Sequence, residues 1–315
     1  LKRMKPYALF LGCTIPVRAQ NYELATRKVA EALGLPLEHI DNFSCCGYPV
    51  SSIHHRTAEE MAARNLALAE ARGMDICAIC TACTGVLTEV SHALAEDEAK
   101  RAEINETLKE IGLNYRGTVK VRHFARVLYE EVGLEAIRSK VVRPLGGLRI
   151  APHYGCHYLK PAEIYEGFDS AENPHTLDEL IEATGAASVS YPKKLACCGG
   201  AVLAVDETTA LKISKGKLDQ LKALEVDAIG LICPFCSVMY ESNQKKIEKT
   251  FETEYNLPVL YYPQILGLAM GMDPKELGFQ MNRVKPKDLL EKVEASAREA
   301  TLQAPGGQSG ETGER

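Results

Sequence analysis

At 315 residues, with 46% hydrophobic and 25% charged side chains, the chain is long enough for two ordinary domains, each with its own core. A net charge of −5 and a pI near 6.0, with no basic stripe, argue against a nucleic-acid partner. No apolar run reaches the roughly 18–20 residues that span a bilayer, and no signal-peptide pattern opens the chain.

Taken in order, residues 7–11 read as a buried strand ending at Gly12-Cys13. A helix follows from about Tyr22, with Leu24, Ala25, Val29, Ala32 and Leu33 on one face, and stops at Gly34 with Pro36 beyond. A short strand over 37–40 leads into Ser44-Cys45-Cys46-Gly47. Thr57-Ala58-Glu59-Glu60 has the form of a capping box, opening a helix that ends at Gly73. Residues 75–79 make a third strand closing on Cys80-Thr81-Ala82-Cys83, and Leu87, Val90 and Leu94 are the buried stripe of the next helix. The charged run 96–109 reads as a solvated helix. A fourth strand is expected over 118–121 and a helix over 124–132.

Pro144-Leu145-Gly146-Gly147 marks a boundary, after which the order repeats. A strand over 148–151 runs into His153-Tyr154-Gly155-Cys156-His157, and a second capping-box pattern, Thr176-Leu177-Asp178-Glu179, opens a helix ending at Gly185. Strands over 187–191 and 228–232 lead to Ala196-Cys197-Cys198-Gly199-Gly200 and Cys233-Pro234-Phe235-Cys236. Between them a helix after Asp206 shows Leu211, Leu218, Leu221 and Leu224 on one side. Val259–Tyr261 is the last strand, followed by the apolar run 265–270.

This alternation defines the fold class as two similar Rossmann-like α/β domains, each with a mainly parallel sheet, related by internal duplication. The expected units are 1–143, 144–286, and a C-terminal helix with a disordered tail over 287–315.

Ten of the eleven cysteines fall into two sets of the same order, displaced by 143, 152, 152, 153 and 153 positions (156 − 13, 197 − 45, 198 − 46, 233 − 80, 236 − 83). Cys77, left over, aligns with Gly230 inside a strand, so it reads as a buried small hydrophobe. In each set the cysteines lie just past strand C-termini, where open parallel sheets place ligands. Cys80/Cys83 and Cys233/Cys236 also sit at helix starts, where the dipole favours thiolates. So many free thiols place the protein in a reducing cytoplasm and argue against structural disulfides. Zinc would use four such ligands, whereas each set offers five, which points instead to an irregular iron–sulfur cluster.

Each half resembles the cysteine-rich CCG domain, with 31 residues before Cys-Cys and 33 after it in the first half, and 40 and 34 in the second. To about Lys287 the chain resembles the B subunit of heterodisulfide reductase, on words such as Phe10-Leu11-Gly12-Cys13, Arg64-Asn65-Leu66, Gly117-Thr118-Val119, His153-Tyr154-Gly155-Cys156-His157, Pro234-Phe235-Cys236 and Leu266-Gly267-Leu268-Ala269-Met270-Gly271. The resemblance implies two noncubane [4Fe–4S] clusters. Cys13, Cys45, Cys46, Cys80 and Cys83 would hold the first, and Cys156, Cys197, Cys198, Cys233 and Cys236 the second. It also implies a small disulfide (the CoM-S-S-CoB heterodisulfide or a bacterial equivalent) split between the clusters by one electron from each.

The implied partners are a ferredoxin-like C subunit and a flavin-containing A subunit, because the chain carries no fingerprint for binding flavin or nicotinamide itself. Cys77, Cys80 and Cys83 start a ferredoxin-like spacing, but position 87 is Leu. His153 and His157 flank Cys156 as candidate proton donors, with hydrogen bonding or packing the competing reading. His54, His55 and His123 read as ordinary surface or core histidines, and Lys193, Lys194 and Arg18 as minor candidates for an anionic substrate tail. Two other functions remain open: an electron relay in a flavin-linked dehydrogenase complex, without disulfide chemistry, and a structural zinc protein that docks partners.

Overall fold

A computed structural model describes residues 4–303. The tail expected to be disordered, 304–315, lies outside the described residues. The described chain forms two four-stranded parallel sheets of identical topology. The first orders its strands β2-β1-β3-β4, from β1 (Tyr7–Phe10), β2 (Leu37–Glu38), β3 (Asp75–Ala78) and β4 (Val121–His123). The second orders them β6-β5-β7-β8, from β5 (Arg149–His153), β6 (Ala187–Ser188), β7 (Ala228–Leu231) and β8 (Val259–Tyr261). The apolar runs become strands because helices cover the sheets: β1, β7 and β8 are buried at every residue. Cys77 in β3 pairs with Leu9, and Gly230 in β7 with Pro152, so the two occupy equivalent central-strand positions.

Sequence order reverses across β1/β3 and across β5/β7, which makes these the switch points where a doubly wound sheet opens a crevice at its strand ends. Cys13 and Cys80 flank the first crevice, and Cys156 and Cys233 the second.

Several local expectations are corrected. The helix His55–Ala71 starts before the proposed Thr57 box: His54 is its N-cap, and its Nδ1 accepts from the Thr57 N–H at 3.2 Å. His54 therefore has a definite structural role. At Thr176–Glu182 the box does not form either, because Asp169 accepts from the Thr176 N–H (3.1 Å) and hydroxyl (2.6 Å). The fourth strand lies at Val121–His123 rather than over 118–121, and the helix expected over 124–132 breaks into Phe124–Val127 and a π-turn, Leu128–Val132.

The halves meet along a buried seam. Tyr22, on the helix Gln20–Leu33, stacks on Tyr261 with ring centroids 4.0 Å apart and donates its hydroxyl to the Ile232 carbonyl at 3.2 Å. His123 Nε2 reaches the same carbonyl at 3.0 Å. Asn21 donates to Asn282 at 3.2 Å, and Asn282 is also bound by Gln264 at 3.0 Å. A buried polar network of this kind fixes the register of the two halves, since each lost partner would leave a desolvated group unpaired.

Candidate functional site

The Cys-Cys-Gly loops owe their shape to the glycine. Gly47 and Gly199 have φ of 94° and 85°, which L side chains rarely adopt. A Cβ on either would lie 2.7 Å from a backbone carbonyl, that of Ala58 or Ala210. Each loop therefore lies directly on a following helix, and the sharp bend turns both neighbouring thiols toward one crevice. In the second loop the Gly199 N–H donates to Cys197 Sγ at 3.3 Å and the Gly200 N–H to Cys198 Sγ at 3.4 Å.

The Cys-x-x-Cys pairs sit at helix N-termini. Cys80 is the N-cap of Thr81–Glu96, and Cys233 that of Pro234–Ser237, with nearly the same extended backbone (φ −134°, ψ 124° and 121°). The second helix then passes into a π-turn, Val238–Ser242, where the first continues unbroken.

Thiol–thiol interactions string each set into a row. In the first half it runs Cys13, Cys45, Cys46, Cys83, Cys80, and in the second Cys156, Cys197, Cys198, Cys236, Cys233. The rows approach each other at Cys80 and Cys233, which lie within electrostatic reach across the seam; a Cβ on Gly155 would lie 2.9 Å from Thr81 Oγ1 and 3.4 Å from Cys233 Cβ. Cys13, Cys156 and Cys197 are exposed and Cys45 is half-buried, while Cys46, Cys80 and Cys83, with Cys198, Cys233 and Cys236, are buried. Cys77 is buried apart in its strand.

Protons cannot leave every thiol in such a row. Flanked by Cys45 and Cys83, Cys46 is held as thiolate, its pKa pulled down to about 4. Cys197, between Cys156 and Cys198, is pulled down to about 2, and Cys233 is lowered between Cys236 and Cys80. Their neighbours Cys45, Cys83, Cys156, Cys198, Cys236 and Cys80 are pushed up.

The surroundings bear on whether such a donor set fits an iron–sulfur cluster. Among the described residues no three His, Cys, Asp or Glu side chains are arranged to hold a single ion. A set of five thiols matches in donor chemistry an iron–sulfur core, whose irons take thiolate ligands. Two buried polar atoms beside the second set lack partners among the described residues, His153 Nε2 and the Tyr240 hydroxyl. His153 lies within electrostatic reach of Cys233 and Cys197, and Tyr240 of Cys198 and Cys236. Cluster sulfides would satisfy both donors, so the residues fit the group.

His153 is fully enclosed and held neutral by burial and by Lys217, whose Nζ donates to its Nδ1 at 2.8 Å. His157 crosses the seam, with its ring edge-on to Tyr48 at 5.1 Å and its side chain beside Gly85. Lys193 and Lys194 are engaged elsewhere, Lys193 with the Gly216 carbonyl (2.9 Å) and Lys194 with Asp178 (2.7 Å). A cavity of about 70 Å³ is lined by His153, Cys156, Lys160 and Lys194. A larger one, about 350 Å³, lies beside Tyr48, Gly85 and His157 but touches no cysteine. The smaller is the better candidate for chemistry because a thiol opens into it. Lys217 and Tyr240 were not foreseen from sequence; the one signal was that Lys217 falls beside Leu218 and Leu221 on a buried stripe.

Two parallel α/β units, each ending its strands on the same five-cysteine row, define a duplicated cysteine-rich protein. The model of the cysteine-rich CCG domain matches residues 7–88 and again 150–241. The chain belongs to this family and, within it, to that of the B subunit of heterodisulfide reductase. In Methanosarcina acetivorans the B subunit of the ferredoxin/F420H2-dependent CoB-CoM heterodisulfide reductase is 38% identical over 294 residues, covering 92% of this chain and 97% of that one. The 8-methylmenaquinol:fumarate reductase membrane anchor subunit of Wolinella succinogenes is 33% identical, covering 88% and 96%. A solved structure of a hypothetical protein from Helicobacter pylori shares the fold, with a TM-score of 0.70 at 17% identity, over 89% of this chain and about half (52%) of that one. Among the described residues no helix is long and apolar enough to cross a membrane.

Proposed function

We propose that this chain is the disulfide-reducing subunit of a multisubunit oxidoreductase and holds one noncubane four-iron cluster in each half. The ligands are Cys13, Cys45, Cys46, Cys80 and Cys83 in the first half, and Cys156, Cys197, Cys198, Cys233 and Cys236 in the second. The observation that supports the reading is the approach of Cys80 and Cys233 across the seam, where Gly155 abuts both Thr81 and Cys233; on this reading the two sites would face each other. When bound, the clusters supply one electron each. Two electrons and two protons convert R–S–S–R′ to RSH and R′SH, so a pair of one-electron sites avoids releasing a thiyl radical.

The protein's own groups do the rest. Cys156, opening with His153 into the small cavity, marks where the disulfide would arrive, and the buried thiols would be screened from water. His153 and His157, flanking Cys156, are the candidate proton donors, His157 being held at the seam against Tyr48. The electrons come from an iron–sulfur partner chain of the ferredoxin-like C type, fed by a flavin subunit, in a reducing cytoplasm. The naming of relatives as heterodisulfide reductase subunits supports this assignment.

A second reading has one observation in its favour, the relative named as a fumarate reductase anchor subunit. On that reading the clusters relay electrons without disulfide chemistry. Anaerobically purified chain should hold about eight irons, and its reduced EPR signal should change when a heterodisulfide is added. Eight irons with no response to any disulfide would favour the relay, and stoichiometric zinc without iron would exclude both.

A further inference from the structure

The helices that follow the two Cys-Cys-Gly loops correspond position by position. His55–Ala71 and Glu207–Ala223 are both 17 residues long. Their N-caps, His54 and Asp206, each accept from the N–H three residues on, at 3.2 and 2.9 Å. Their Ala58 and Ala210 carbonyls meet Gly47 and Gly199 in the same way. Every pair is displaced by 152 positions (206 − 54, 210 − 58, 199 − 47), and the same step relates Asn65 to Lys217.

At this position the duplication has diverged in charge. Asn65 is a neutral, buried brace: its Oδ1 accepts from the Ser44 N–H at 2.9 Å and its Nδ2 donates to the Cys45 carbonyl at 3.1 Å. Lys217 is also fully buried, at 0% exposure, but it carries an ammonium. Its Nζ donates to His153 Nδ1 at 2.8 Å and to the Lys194 carbonyl at 3.1 Å, and lies 5.6 and 5.7 Å from the ring centres of Tyr191 and Tyr240. Among the described residues no carboxylate pairs with it.

A buried cation without an anion is costly. The negative groups that Lys217 does feel are sulfurs of the second set, Cys236, Cys198, Cys156 and Cys197, which oppose the effect of burial and leave its pKa at about 8. The Lys217–His153 contact also fixes the imidazole tautomer, with Nδ1 accepting and the unpartnered Nε2 carrying the proton.

We infer that Lys217 is the built-in counter-charge of the second site, and that it makes the two clusters unequal, with the one in the second half at the higher reduction potential. This rests on the reading that each half holds a cluster. Reduction adds negative charge to a cluster, and a fixed cation nearby stabilises that form, as does an N–H aimed at its sulfurs. Lys217 supplies the first directly and orients His153 for the second. The first site has neutral Asn65 in the same place and no buried cation among the described residues; the guanidinium of Arg64 reaches Ser44 Oγ at 3.3 Å from a part-exposed position. Lys217 is thus a positioning and tuning residue, and it directs the first electron to arrive toward the second half.

The test is a potentiometric titration of the iron-loaded full chain, followed by EPR, with Cys198→Ala identifying the second-half signal. Two resolved midpoints are expected, with the second-half cluster the more positive. Lys217→Gln, which keeps a donor but removes the charge, should move that midpoint to lower potential and leave the other in place. Coincident midpoints, or a Lys217→Gln chain whose midpoints do not move, would overturn the inference while leaving the two-cluster reading intact. Wild-type chain without iron would instead remove the reading itself. If Lys217→Gln loses the second cluster altogether, Asn65→Lys decides: a rise in the first cluster's midpoint supports the inference and an unchanged midpoint overturns it.

Discussion

Cys80 and Cys233, each the first residue of a Cys-x-x-Cys at a helix N-terminus, lie within electrostatic reach of each other across the seam between the two halves. Their equivalent backbone angles show that duplication built both ends of this contact. On the proposed reading the relationship couples fold to function: a sheet's switch point positions each thiol, and the packing of the two halves would bring the two sites together. It also makes the seam a functional element, since any shift of one half against the other would separate the two rows.

The iron content should follow the row assignments. Cys198→Ala should fall from about eight irons to about four, because it removes a buried member of the second row. Cys77→Ala should keep the full complement, since Cys77 lies within β3 and touches no row. Iron analysis of the two purified variants checks this directly.

The glycines of the two loops should be intolerant of a methyl group. Gly47→Ala would place a Cβ 2.7 Å from the Ala58 carbonyl and Gly199→Ala 2.7 Å from that of Ala210, both at positive φ. Something must shift, at a cost above about 1 kcal/mol, and the thiols shift with it. Each variant is expected to lose one cluster and keep the other, as read by iron content and EPR.

The seam should depend more on the Tyr22 ring than on its hydroxyl. Tyr22→Phe gives up one neutral hydrogen bond and should cost about 1 kcal/mol. Tyr22→Ala removes a fully buried ring stacked on Tyr261 and should cost about 3–5 kcal/mol. Denaturant midpoints of the two variants separate these effects.

Acid should weaken the same seam. Burial lowers His123 from its ordinary 6.5 to about 4, against the smaller opposing effects of the Cys233 charge and the Ile232 carbonyl. Between those values the unfolded chain binds a proton that the folded chain refuses. Stability present at neutral pH is therefore lost as the pH falls through this window, by up to about 3 kcal/mol. Urea unfolding of the iron-free chain at pH 7 and near pH 4.5 should show a smaller acid loss in His123→Gln than in wild type.

The cysteine sets and the strand–helix order were legible in the sequence because both are local signals that repeat at a fixed displacement. Cys77 was legible for the same reason, through its alignment with Gly230. The groups that cap the helices starting at residues 55 and 176 were not. A histidine ring nitrogen at residue 54 and a carboxylate at Asp169 supply the caps, and neither belongs to the pattern that Thr57 or Thr176 suggests. The contacts that make the site one object were also hidden. Cys80 with Cys233, and Lys217 with His153, join residues far apart in sequence, and only the packed seam and sheets bring them together. A lysine on a leucine-rich helix face reads as solvated until the structure encloses it.

The most direct measurement is a single-turnover count of thiols. Iron-loaded chain, reduced and freed of excess reductant, is mixed with a heterodisulfide, and free thiols are quantified with time. Paired, facing clusters require about two thiols per wild-type chain for two electrons, and no fast release from Cys46→Ala or Cys198→Ala, each of which keeps one cluster. Thiol release at the wild-type rate from either single-cluster variant, or none from wild type, would contradict the pairing.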